Sequence, residues 1–318
     1  MVAQDRGARR APWADVLGLG GALAGLIAFF ALTTDHFFTL NNFQTIANQI
    51  PADLIIAVGM TFVLISGGID LSIGSVLAFS SAVFGVALAS WHWPFPLALL
   101  AGIGTGAFCG SVNASIISLW RVPSFIVTLG MLEAARGGTY LVTGSQTVYL
   151  GQDVEWIAAK SLMGISLPFV IAIAVIAVAH ITLRHTRFGR HLVALGYNEE
   201  AARLSGINTR GIRWAVFCCA GALAGLASIL NSARLSAADP NAGIGLELGA
   251  IAAVVIGGTS LSGGRGSIAR SAVGVAIIAV LESGLAQADA QEPLKRIITG
   301  LVIVGAVILD QLRQRRSW

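Results

Sequence analysis

The sequence predicts an all-α polytopic membrane protein of about ten transmembrane helices with two related Gly-interrupted segments. Three observations predict it. Of 318 residues, 55% are hydrophobic and only 11% charged, with a mean hydropathy of +0.79, whereas soluble domains average about 25% charged residues. Apolar runs of membrane-crossing length, about 17 to 25 residues, recur along the chain. The stretch "GGIDLSIGS" at 67–75 interrupts one such run, and "GGTSLSGGRGS" at 257–267 echoes it. No long polar linker divides the chain, so a single domain over 1–318 is expected, with cytoplasmic tails at 1–13 and 312–318 and a main cytoplasmic loop at 184–213.

The apolar runs fall roughly at 14–32, 49–66, 73–90, 95–118, 122–143, 164–183, 212–231, 247–260, 267–286 and 294–311, the eighth being short. The first follows "RGARR", as a signal peptide would. After it, "TTDHFFTLNNF" offers no small-residue cleavage site, so a retained anchor is expected.

Orientation follows from the basic residues. An internal N terminus and ten crossings put Arg6, Arg9, Arg10, Arg121, Arg184, Arg187, Arg190, Arg203, Arg210, Arg213, Arg265, Arg270, Arg313, Arg315 and Arg316 inside, 15 of the 20 Lys and Arg. Lys160, Arg234, Lys295 and Arg296 fall outside and Arg136 within a run. This is the positive-inside bias, and it places both termini in the cytoplasm. The net charge of +4 is therefore a topology signal, and nucleic acid is excluded as a partner. Trp13, Trp91, Trp93, Trp120, Trp156, Trp214 and Trp318 all sit at or beyond run ends, where indoles prefer the headgroup region. Cys109, Cys218 and Cys219 have no CxxC spacing and read as small buried hydrophobes.

Leu54 to Ser90 is 37 residues, about 55 Å as a continuous helix against a hydrocarbon core of about 30 Å. The chain must turn back or break there. Gly67 and Gly68 supply conformational freedom, and Asp70 or Ser72 can accept from N–H groups freed at the start of the next helix. In the echo, Gly257 and Gly258 repeat the double glycine, Ser260 replaces Asp70 and Ser262 repeats Ser72. Paired Gly-interrupted segments point to an internally repeated transporter with its path near the interruptions. The competing reading is a pair of ordinary cytoplasmic turns with capping residues. Asn113 either lines the path or makes an interhelical hydrogen bond.

"TLNNFQTIANQIPADLIIAVGMTFVLISGGIDLSIGSVLAFSSAV" and "LELGAIAAVVIGGTSLSGGRGSIARSAVGVAIIAVLESGL" resemble the transmembrane permease subunits of bacterial ribose, xylose and galactose type ABC importers. "VPSFIVTLGMLEAARG" and "GRHLVALGYNEEAARLSGI" extend the resemblance over roughly residues 39–311. It implies an inner-membrane permease for a monosaccharide, paired with a second permease subunit, driven by a cytoplasmic two-cassette ATPase and supplied by a periplasmic sugar-binding protein. Catalytic residues, metal sites and cofactors are not expected on this chain; ATP and magnesium would sit on the ATPase. The chain agrees on one point: its only lysines, Lys160 and Lys295, do not follow glycine, so no phosphate-binding Gly-Lys loop is present.

"EAARLSG", Glu200 to Gly206, is similar to the E-A-A-x-x-x-G pattern of permease coupling helices, without the later I-x-L-P. Ala201 and Ala202 allow close approach to an ATPase groove, while Arg190, Glu199, Glu200 and Arg203 offer charged contacts. A basic cytoplasmic loop is also what any membrane protein would show. Gly249, "ESGL" at 282–285 and Glu133 depart from the family's usual text and leave the sugar open; Glu133 and Arg136, three residues apart, are expected to neutralise each other on one helix face. A second class, an ion-coupled transporter using Asp53, Asp70, Glu247 and Glu282, also fits broken helices.

Overall fold

A computed structural model describes residues 12–158 and 164–315. Arg6, Arg9, Arg10, Lys160, Arg316 and Trp318 lie outside the described residues. The described chain runs α1 (Pro12–Thr33), α2 (Leu40–Gln49), α3 (Pro51–Ile65), α4 (Ile73–Ala89), α5 (Phe95–Trp120), α6 (Ser124–Thr143), β1 (Val148–Tyr149), α7 (Gln152–Ala158), α8 (Leu167–His185), α9 (Arg187–Tyr197), α10 (Glu199–Leu204), α11 (Thr209–Leu235), β2 (Ala237–Ala238), α12 (Leu246–Ile256), α13 (Ile268–Gln287) and α14 (Glu292–Arg315).

A helix covers each of the ten apolar runs, but not every one has membrane-crossing length. Among the described residues four helices, α5, α8, α11 and α13, are long and apolar enough to cross alone, and α2 with α3 makes a fifth, bent by 49°. The bend has a local cause: Pro51 has no N–H to continue α2 but suits the first position of α3. With 17 and 11 residues, α4 and α12 reach about 26 and 17 Å. Length and hydropathy alone do not confirm the count of about ten among the described residues; the breaks account for the shortness of α4 and α12.

The packing is built on close backbone approach. Gly106 and Gly110 of α5 face Gly221, Phe217 and Gly225 of α11 so tightly that an added Cβ would meet carbonyl oxygens of the other helix. Without a hydrophobic driving force between helices in lipid, such small-residue stripes are what hold helices together. α11 also packs on both α3 and α4. Buried hydroxyls add links: Ser81 with Ser232 at 2.7 Å joins α4 to α11, and Thr61 donates to Ser271 at 2.9 Å, joining α3 to α13.

Burial is uneven. In α3, 13 of 15 residues are buried, and in α4, 14 of 17; in α12 the figure is 5 of 11 and in α13 8 of 20. Trp91, Trp93, Trp120, Trp156 and Trp214 are exposed near helix ends. Cys109 is buried as expected, but Cys219 is exposed on the apolar surface of α11.

Two polar segments are more ordered than loops. Within residues 144–158, Val148–Tyr149 form β1, which pairs antiparallel with β2, Val148 opposite Ala238. Residues 184–213 fold largely as α9, α10 and the start of α11, with Thr186 capping α9 and Asn198 capping α10.

Candidate functional site

The first break is a helix stop followed by a side-chain turn. Ser66 ends α3 and Gly67 takes φ +78°, a left-handed conformation that glycine adopts without a Cβ penalty. Gly67 N–H donates to Leu64 O at 2.9 Å and Gly68 N–H to Val63 O at 3.1 Å, the paired bonds of a Schellman stop. Asp70 Oδ1 then accepts from Ser72 N–H at 2.9 Å and from Ser72 Oγ at 2.6 Å, and Ser72 Oγ accepts from Asn113 Nδ2 at 3.1 Å. Asp70, Ser72 and Asn113 are all buried. Of the two expected caps only Asp70 accepts from the backbone; Ser72 precedes α4 without a side-chain cap bond. Asn113 makes the interhelical bond and lines neither of the cavities described below.

Two further N–H groups of the break are satisfied by α6. Ser124 Oγ accepts from Ile69 N–H at 2.9 Å and Thr128 Oγ1 from Leu71 N–H at 3.1 Å. Irregular backbone is tolerated in a membrane domain only where protein satisfies it. Sequence reasoning missed this pair, although two hydroxyls four residues apart at the head of an apolar helix are a legible sign.

The second break repeats the design with a shifted register. Gly257 ends α12 and Gly258, φ +81°, donates to Val255 O at 2.7 Å while Thr259 N–H donates to Val254 O at 3.1 Å. Ser262 N–H donates to Ser260 Oγ at 3.2 Å, the counterpart of the Asp70 turn. The two glycines of each pair therefore do different work, which corrects the expectation that both supply freedom. Gly67 and Gly258 take positive φ; Gly68 makes room for Phe217, and Gly257 lies against the backbone of Arg270 and Ser271. The copies also differ globally: α12 packs directly on α13, whereas α3 and α4 both pack on α11.

Both breaks meet at one place. Gly264 N–H donates to Ile65 O at 2.9 Å, and Gly196 of α9 lies against both of those atoms with no room for a Cβ. Next to it, Tyr197 lies under the Arg265 guanidinium, 5.7 Å from the ring centre, and accepts from Arg265 Nη2 at 3.2 Å. One residue later Asn198 starts α10.

α10 is the segment matching the coupling pattern. Asn198 Oδ1 accepts from Ala201 N–H at 2.9 Å, Ala202 is buried, and Ala201 is exposed. Gly206, φ +80°, ends the helix with Ile207 N–H on Ala202 O, a third Schellman stop. The charged residues first serve the chain itself: Glu200 pairs with Arg203 at 2.6 Å and Glu199 with Arg213 at 2.7 Å. The Glu200 carboxylate pushes the exposed Arg203 guanidinium further towards its charged form. Arg190 is exposed on α9 and takes no part in the cleft of about 720 Å³ that runs from Glu199, Glu200 and Arg203 to Gly67 and Gly68, past Arg121, Ser124 and Arg213.

A second cavity of about 650 Å³ lies between α2, the head of α3, α12 and α13, lined by Asn42, Thr45, Gln49, Asp53, Glu282, Ser283 and Gln287 and closed by Gly243 to Gly245. Arg136 holds the approach to that closing segment, donating to Pro240 O at 2.8 Å and Ala242 O at 3.0 Å. Its expected neutralisation by Glu133 does not occur: loop carbonyls in reach take the guanidinium, and Glu133 is exposed.

Residues 42–307 match the family described as "Branched-chain amino acid transport system / permease component". The chain belongs to that permease family. This permease is 40% identical over 298 residues to the ribose import permease of Escherichia coli K12, covering 92% of each chain. It is 34% identical to the D-allose transport system permease of the same organism over 94% of this chain and 92% of that one. It is 35% identical to the L-arabinose ABC transporter permease of Azospirillum brasilense over 92% and 87%. The permease's likeness thus runs through both breaks, α10 and nearly all of the helical core, and it sets aside the ion-coupled alternative.

Proposed function

We propose that this chain is the transmembrane subunit of an ATP-driven importer that carries a monosaccharide of the pentose or hexose class across the bacterial inner membrane by alternating access. The observation that carries the mechanism is the meeting of both breaks at Gly196 and Tyr197, one residue before α10. A push on α10 reaches the end of α3 and the chain of the second break at Gly264 through backbone contacts that have no slack. Gly67, Gly68, Asp70, Ser72, Gly257, Gly258, Ser260 and Ser262 then act as the flexing points around which the helices reorient, with Asn113 as their internal brace.

The partners follow. A two-cassette ATPase holds ATP and magnesium and docks on Glu199 to Gly206, with Arg190 at the rim; a periplasmic binding protein delivers sugar to the other face; and a second permease subunit, identical or homologous, covers the less buried side of α12 and α13. The domain spans the chain as one unit, with ten crossings, 184–213 as the coupling segment and both termini cytoplasmic. Arg121, Arg203, Arg210 and Arg213 share the α10 cleft with the first break, and Arg265 and Arg270 touch the same end, which supports a cytoplasmic location for it. The names of the relatives support a sugar, and so does the side-chain chemistry of the second cavity, seven polar groups that suit hydroxyls better than an aliphatic amino acid.

The test is uptake into proteoliposomes holding the permease with its ATPase and binding protein. Ribose, allose, arabinose and leucine are offered with and without ATP, with any ion gradient collapsed. ATP-dependent sugar uptake is expected; uptake of leucine alone, or uptake that ignores ATP, overturns the reading. Glu200→Lys and Tyr197→Ala should leave the assembly's binding protein docking intact and abolish the link between ATP hydrolysis and uptake. Normal uptake by both would remove α10 as the coupling element.

A further inference from the structure

The family likeness runs through both breaks, yet they leave little for a sugar to hold. Asp70, Ser72, Ser124 and Thr128 are committed to one another or to backbone. The opposite end of the same helices offers the reverse. There the second cavity presents two carboxylates and two glutamine amides from three different helices, beside Asn42, Thr45 and Ser283, whose polar groups bond locally. At about 650 Å³ it falls within the roughly 300–1,000 Å³ typical of small-molecule sites.

We infer that this cavity, and not the breaks, is where the sugar's hydroxyls are held during passage, with Asp53, Glu282 and Gln287 as the residues that accept or donate to them. This rests on the monosaccharide reading above. Two observations carry it. Asp53 stands in the first turn of α3 and Glu282 one turn before the end of α13, so the two carboxylates face one space from helices that lead to different breaks. Carboxylates accept from neighbouring hydroxyls with charge-assisted bonds, about twice as strong as neutral ones. Gln287 Oε1 is buried with no hydrogen-bond partner, a state that leaves an acceptor waiting for a donor. Asn42 is a wall and not a contact: its Nδ2 donates to Phe37 O at 2.9 Å and its Oδ1 accepts from Ser283 at 3.0 Å.

The arrangement explains how a weakly holding path can be emptied. Asp53 belongs to the helix that ends at the first break and Glu282 to the helix that begins after the second. Any motion that shifts α3 against α13 separates the two carboxylates and breaks the sugar's contacts with one of them. The hold is made and released by the same movement that α10 drives.

The experiment uses the complete importer in proteoliposomes, with Asp53→Asn, Glu282→Gln and Gln287→Leu made singly. Initial uptake of ribose and of 2-deoxyribose is measured beside ATP hydrolysis stimulated by the loaded binding protein. Each carboxylate variant should lower ribose uptake by about tenfold or more, as loss of a charge-assisted bond implies, with ATP hydrolysis unchanged. The preference for ribose over 2-deoxyribose should shrink in at least one variant, a change that misfolding or poor coupling would not produce. Unchanged uptake in all three overturns the inference. So does a fall in uptake matched by an equal fall in ATP hydrolysis with the sugar preference intact. Should the carboxylate variants fail to assemble, Gln287→Leu and the cavity-filling Ala279→Trp carry the same test. If the wild-type importer moves no sugar with ATP present, the functional reading itself fails, a result distinct from any variant outcome.

Discussion

Replacing Asp70 by alanine removes the acceptor on which the first break is built. Asp70 Oδ1 takes two bonds, from Ser72 N–H at 2.9 Å and from Ser72 Oγ at 2.6 Å, and the site is buried. Each buried donor left without a partner costs about 1–3 kcal/mol, so Asp70→Ala should destabilise the permease by about 2–6 kcal/mol, towards the low end if the Ser72 hydroxyl turns to another acceptor. Asp70→Asn keeps an oxygen in the same place. It loses the charge assistance but no longer buries a charge, and the net change should stay within about 1 kcal/mol. Asp70→Ser reproduces the second break, where Ser260 Oγ holds Ser262 N–H at 3.2 Å, and should fall between the two. The measurement is denaturant unfolding of the detergent-solubilised permease followed by circular dichroism, beside sugar uptake. Equal stability of the Ala and Asn variants would refute the capping argument. An Asn variant that is stable yet inactive would show that the charge itself is needed.

Two further outcomes follow from the same geometry. Gly67→Ala meets no neighbouring atom, so its cost is the left-handed backbone alone, about 1–2 kcal/mol; Gly68→Ala carries no such backbone cost and should be limited by the 3.1 Å approach to Phe217, so unfolding midpoints of the two should respond differently to Phe217→Leu, which relieves only the second. Arg136→Gln removes charge-assisted donation to Pro240 O and Ala242 O, bonds of about 1.5–3 kcal/mol each, and limited proteolysis should then cut within 239–245 sooner than in the parent chain.

The membrane class, the positions of the helices and the existence of a repeated break were legible in the sequence, because composition and apolar periodicity follow directly from the solvent that a lipid-embedded helix meets. The Schellman stops were half legible: a double glycine announces a stop, but which glycine turns left-handed depends on where the helix ends, and that differs by one residue between the copies. Helix length by itself accounts for only four or five of the crossings among the described residues, since a break seen in sequence does not reveal how many residues it takes from each side. Arg136 was misread because spacing along one helix offered Glu133, whereas folding brought carbonyls from residues more than a hundred positions away.

By itself, then, the sequence determined what kind of chain this is and where it must interrupt its helices, through local chemistry that neighbours in the chain can satisfy. Only the tertiary structure decided that the two interruptions touch, that Gly196 and Tyr197 bind them to α10, and that Asp53 and Glu282 face one cavity. Those are contacts between residues far apart in the chain, and their geometry depends on how tightly α5, α11 and α3 approach one another.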